Sequence, residues 1–156
     1  MRATIFSPCR EYRYSLWREW DMSDSRYAMF VGLNPSTADE VNDDPTIRRC
    51  IGFAKAWGFG ALCMANAFAY RATDPKVMKA AAFPIGGDND RWLKSCAAEA
   101  GVIIAAWGVH GDHMGRDSQL KLLLPRLQHL GLTKHGHPKH PLYLRGNTTP
   151  QAWRNE

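Results

Sequence analysis

Two short polar turns hold most of the residues in this chain that could do chemistry. The first, Gly32-Leu33-Asn34-Pro35-Ser36-Thr37, follows the apolar run Ala28-Met29-Phe30-Val31. The second, Gly136-His137-Pro138-Lys139-His140-Pro141-Leu142, lies near the other end of the chain. Asn34 carries a donor and an acceptor on one short side chain, so it can hold a water or a ligand edge. Pro35 stiffens its turn, and Ser36 and Thr37 add hydroxyls. The same Asn can instead close an Asx-turn on its own backbone. His137 and His140 titrate near neutrality and can serve as donor, base or cation.

Other candidates lie between the turns. Asn66 ends the apolar run Ala61-Leu62-Cys63-Met64-Ala65. A buried amide there must find partners, either backbone groups or the edge of a base. Arg71 follows it and can contact a phosphate, or simply form a surface ion pair. Trp107-Gly108 follows Val102-Ile103-Ile104-Ala105-Ala106. There the indole can pack a core or shape a pocket, and Gly108 permits close approach of a ligand or another backbone. Asp44 precedes Pro45 and reads as a helix N-cap. The acidic segment Asp39-Glu40-Val41-Asn42-Asp43-Asp44 matches no calcium-loop spacing and reads as a solvated loop. The helix N-terminus after it can receive a phosphate in principle, but these carboxylates oppose that. All six histidines follow residue 109. They form no HExxH or Cys/His pattern, and the pair His110 and His113 alone is too little, so no metal site is expected.

These turns need a scaffold. Arg13-Tyr14-Ser15-Leu16-Trp17 alternates after a turn at Ser7-Pro8-Cys9-Arg10, so residues 1–20 read as an N-terminal β-hairpin extension. Residues 27–33, 61–66 and 102–106 read as buried strands. Helices are expected from Asp44-Pro45 to the glycines at 58 and 60, a short one from Asp74-Pro75, and one after residues 86–90 to about Ala100. Leu120, Leu123, Leu124, Leu127 and Leu130 recur at helical spacing, predicting a helix over 116–130 that is kinked or broken at Pro125. A fourth strand is expected at Leu132-Thr133, delivering the His-Pro segment. Alternating strands and helices predict one α/β domain over 1–156, a three-layer sandwich around a central, mostly parallel sheet of four or five strands. Its strand carboxyl ends collect Asn34, Asn66, Trp107 and His137, the place where such sheets bind ligands.

The chain of 156 residues suits one domain, and 45% hydrophobic residues can fill its core. No apolar run reaches the roughly 20 residues of a membrane helix, and residues 1–7 do not read as a secretory signal. Cys9, Cys50, Cys63 and Cys96 are spread too widely for a disulfide framework or a zinc site. Reduced thiols in the cytoplasm is the simpler expectation. A net charge of +5 suits a polyanionic partner, nucleic acid first among them.

In order, Gly32-Leu33-Asn34-Pro35, Leu62-Cys63-Met64-Ala65-Asn66, Val102 to Gly108 and His137 to Leu142 resemble the motifs of the uracil-DNA glycosylase superfamily. Over nearly its full length the chain is similar to a bacterial and phage family of uncharacterised domains. Tyr12 to Leu16, Asn34-Pro35-Ser36, Asp44-Pro45-Thr46, Arg71 to Pro75 and Gly136 to Tyr143 carry that likeness. The glycosylase resemblance implies hydrolysis of an N-glycosidic bond to a mismatched or modified base, in DNA or in a nucleotide. It implies that Asn34 positions the attacking water, Asn66 reads the flipped base, and His137 or His140 stabilises the leaving base. Gly32, Pro35, Ser36, Asp44, Arg71, Trp107, Gly108, Tyr143 and Arg145 would line or clamp the substrate, without metal or other cofactor. Lys139-His140 departs from the small residue expected between the prolines, and the DNA-clamping serines are absent. Asn rather than Asp at the water position implies weak hydrolysis. Two alternatives are a non-catalytic nucleic-acid or nucleotide binder on the same fold, and a metal-dependent nucleotide-modifying enzyme using residues 39–44.

Overall fold

The computed structural model describes residues 2–153. Seven strands form one sheet in the order β1-β2-β4-β3-β5-β6-β7. Its centre is parallel: β3 (Tyr27–Gly32), β4 (Ala61–Asn66), β5 (Val102–Ala105) and β6 (Leu127–His129). Both β3 and β4 are buried over every residue. That explains why they read as unbroken apolar runs rather than alternating ones, since each is covered on both faces.

The two faces are covered by different helices. Ala28, Phe30, Leu62, Met64 and Ile104 point to one face, where they meet Ile47, Cys50 and Phe53 of α1 (Pro45–Ala56). Met29, Val31, Cys63, Ala65 and Ile103 point to the other. There they meet Leu93 and Cys96 of α3 (Asn89–Ala97) and Leu120 of α4 (Arg116–Leu123). Period-2 alternation thus sorts the strand residues between two cores. Helix α1 begins as its sequence dictates: Asp44 accepts from Ile47 N at 2.8 Å, and Pro45 takes the first helical position. Asp74 caps α2 (Pro75–Ala80) in the same way.

Several expectations are corrected. The sheet has seven strands, not four or five, because β1 (Ile5–Phe6), β6 and β7 (Gln151–Ala152) are two or three residues long and leave no periodic signature. Residues 13–19 form β2, which pairs antiparallel with β1 on one side and with β4 on the other. They therefore belong to the sheet rather than to an appended extension, and Arg13 to Leu16 are buried. The helix expected to reach residue 130 stops at Leu123. Pro125 has no N–H to continue it, and the chain re-enters the sheet as β6. That strand, and not Leu132-Thr133, is the fourth parallel strand; Leu132 makes only a single bridge to Pro138. Helix α3 ends at Ala97, three residues short of its expected limit.

Candidate functional site

The chain leaves β3 to form β4 on one side of it, then crosses to form β5 on the other. At such a reversal the connections diverge and open a crevice at the strand carboxyl ends. A cleft of about 580 Å³ lies there, within the usual size range of small-molecule sites. Register brings its walls together, with Gly32 opposite Asn66 and Val31 opposite Ala105.

Of the residues expected to contribute, Gly32, Asn34, Pro35, Ser36, Asp44, Asn66, Trp107, Gly108, His140 and Tyr143 all line this cleft. Three do not. His137 sits in the loop closed by the Leu132–Pro138 bridge, where Thr133 binds its backbone. Arg145 is exposed outside the cleft. Arg71 lines an adjoining groove of about 400 Å³, which shares Ser36, Thr37, Ala72 and Thr73 with the cleft. Its Nη1 donates to Arg10 O at 3.1 Å, and its guanidinium lies 4.9 Å from the Phe6 ring centre.

The polar groups are oriented by specific partners. Asn34 Nδ2 donates to Ala72 O at 2.8 Å and to Pro35 O at 3.2 Å. Two carbonyl acceptors fix which end of the amide is nitrogen, so Oδ1 is the end left to accept. His140 Nδ1 accepts from Leu142 N at 3.2 Å. A backbone N–H aimed at Nδ1 places the ring hydrogen on Nε2. Burial lowers the His140 pKa, against a smaller opposing pull from the Asp44 carboxylate. The ring is therefore a neutral donor at neutral pH.

Asn66, 2% exposed, ends β4 at the inner end of the cleft. Its Oδ1 accepts from Arg13 Nη2 at 3.3 Å. Its backbone carbonyl accepts from Asn89 Nδ2 at 3.0 Å, and that of Ala67 accepts from Arg116 Nε at 2.8 Å. These contacts pin the end of β4. A side chain at Gly32 would displace its neighbours, since a Cβ there would lie 2.8 Å from Met64 Cε and 2.9 Å from Asn66 Nδ2. Burial pulls the Arg13 pKa down to about 10, which leaves it charged at neutral pH.

The acidic segment is committed to structure. Asp39 binds the amides of Val41 and Asn42, which holds its carboxyl at about 2. Glu40 pairs with Arg10 and Asp43 with Arg18. Among the described residues, no three His, Cys, Asp or Glu side chains are grouped to hold a metal ion. Nor is any helix long and apolar enough to cross a membrane.

Sequence reasoning missed Arg13, Asn89, Arg116 and Arg49. Arg49, on α1, donates to the carbonyls of Pro141 and Leu144, so it holds the loop that carries His140. Arg48-Arg49 reads as an ordinary charged helix surface, and no local pattern marks one of the pair as an anchor.

No curated protein and no solved structure matches the chain. A family model described as "Protein of unknown function (DUF1643)" matches residues 13–142. That span includes Arg13, Asn34, Asn66, Trp107 and His140. The chain belongs to the DUF1643 family.

Proposed function

We propose that this protein hydrolyses the N-glycosidic bond of a nucleobase, in DNA or in a nucleotide. One observation carries the reading: a fixed acceptor (Asn34 Oδ1), an amide at the inner end (Asn66) and a neutral imidazole (His140) share one cleft. In this scheme water, held by a hydrogen bond to Asn34 Oδ1, attacks the sugar C1′. The C1′–N bond breaks and its electron pair leaves with the base. The Nε2–H of His140 stabilises that developing charge, an effect worth about 10²–10³ in rate at comparable sites. Asn34 is an amide and takes no proton, so the water's proton passes to the departing base or to solvent. Hydrolysis is accordingly slow. Arg71, beside the cleft, fits a flanking phosphate, and the basic chain suits a polyanion. The glycosylase likeness of the four sequence segments and the α/β sheet with its helices are consistent with this scheme.

One feature favours a second reading, a non-catalytic nucleotide or nucleic-acid binder: the water-holding position has no carboxylate. A panel of oligonucleotides and free nucleotides carrying uracil, mismatched thymine, and deaminated, oxidised or bulky bases separates the two. Base release by the native protein and its loss in Asn34→Ala is the expected result. Binding without release from any member would refute hydrolysis and leave the binder.

A further inference from the structure

The inner end of the cleft holds a cation with no ion-pair partner among the described residues; the Asp44 carboxylate, in the same cleft, acts on it only at longer range. Arg13 is 2% exposed. Its Nη1 donates to Ala38 O at 3.0 Å and its Nη2 to Asn66 Oδ1 at 3.3 Å, both neutral acceptors. Its Nε, also buried, has no partner among the described residues. Among the described residues Arg13 enters no ion pair. A buried charge is ordinarily paired, so a guanidinium held by neutral acceptors at a cleft wall keeps its positive charge uncompensated there.

The consequence falls on Asn66. A guanidinium has donors only. By accepting from it, Asn66 Oδ1 is turned toward Arg13, and the amide offers Nδ2, which has no partner among the described residues. The bare Cα of Gly32 leaves the space that Nδ2 occupies. The Asn66 amide therefore presents a donor beside the positive charge of Arg13, and a ligand edge that meets that pair is best made of acceptors. Adenine brings its N6 amine to such an edge, and uracil brings the imide N–H between its carbonyls. The O6 and N7 atoms of an oxopurine are both acceptors.

Building on the nucleobase reading above, we propose that the inner end of the cleft reads the O6/N7 edge of an oxopurine. Arg13 is then the positioning residue that sets the Asn66 amide and charges the floor beneath it.

The test is the affinity of the full chain for short single-stranded oligonucleotides that differ only in the central base: hypoxanthine, 7-deazahypoxanthine, adenine or uracil. Hypoxanthine should bind about tenfold more tightly than each of the others, within the range that a correct edge gives over a wrong one. In Asn66→Asp the carboxylate keeps Arg13 as a partner and turns an acceptor to the cleft, so the preference should reverse toward adenine. In Arg13→Met the amide is free to turn, and the ratio should fall to about one. A purely structural Arg13 would instead lower all affinities together and leave the ratio intact. Should Arg13→Met fail to fold, the ratio in Asn66→Asp decides. Equal binding of adenine and hypoxanthine by the native protein, or an unchanged ratio in Asn66→Asp, would overturn the proposal while leaving the nucleobase reading in place. If none of the four binds, the oxopurine proposal falls, and the base-release panel decides the nucleobase reading separately.

Discussion

Replacing Asn34 by Asp probes the amide on which the proposed water-holding role depends. Asn34 Nδ2 donates to Ala72 O at 2.8 Å and to Pro35 O at 3.2 Å, tying the turn after β3 to the segment before α2. Asn34→Asp removes both donors and sets a carboxylate against two carbonyl oxygens. Each lost bond is worth about 0.5–1.5 kcal/mol, and the half-buried position tempers the added repulsion. The expected loss is about 2 kcal/mol at pH 7, read from urea unfolding. The sign with pH follows from linkage. Facing carbonyls, the introduced carboxyl has a folded-state pKa above its unfolded value of about 4. Its protonated form can donate to one of the two oxygens. Stability relative to the native protein should therefore be best below about pH 4 and fall as pH rises through the folded-state pKa. A variant as stable as the native protein at pH 7, with no pH dependence of the difference, would refute the amide orientation and with it the free Oδ1.

Three further outcomes follow from the same geometry. Gly32→Ala places a methyl within 3 Å of Met64 Cε and Asn66 Nδ2 and should cost about 1–3 kcal/mol in urea unfolding; a change below 0.5 kcal/mol would show that both tips move freely. The His140 ring should titrate by NMR with a midpoint below the ordinary 6.5, because burial disfavours its cation; a midpoint above 6.5 would contradict the neutral donor. Any rate that depends on that neutral ring should fall as pH drops through this midpoint. Arg49→Met should speed hydrogen exchange at the Leu142 and Leu144 amides while costing only about 1 kcal/mol overall, since the anchored loop is a surface segment; unchanged exchange there would remove Arg49 as its anchor.

What the sequence reveals depends on whether a signal is local. The strands at 27–32, 61–66 and 102–105 announce themselves because parallel strands covered on both faces are uniformly apolar. Asp44-Pro45 and Asp74-Pro75 mark helix starts through capping chemistry that acts within a few residues. Convergence of Asn34, Asn66 and Trp107 is legible too, because each ends a strand and parallel strands share an end. Arg13 is not legible. An alternating run with two arginines looks half-solvated, and only contacts far along the chain, at Ala38, Asn66 and Ala69, hold Arg13 inside. The choice between His137 and His140 is equally hidden: both precede proline, and the decision rests on how α1 holds the loop through Arg49. Five leucines at helical spacing leave open whether Pro125 kinks or breaks the helix; the missing N–H breaks it, leaving Leu120 and Leu123 in α4 and Leu127 in β6.

The measurement that bears most directly on the central claim is product analysis in ¹⁸O-water. The full chain would be incubated with the panel of base-modified oligonucleotides and nucleotides. The account predicts free base together with an abasic sugar that carries ¹⁸O at C1′, both lost in His140→Ala and Asn34→Ala. Intact substrates across the whole panel, or free base with no label at C1′, would contradict it.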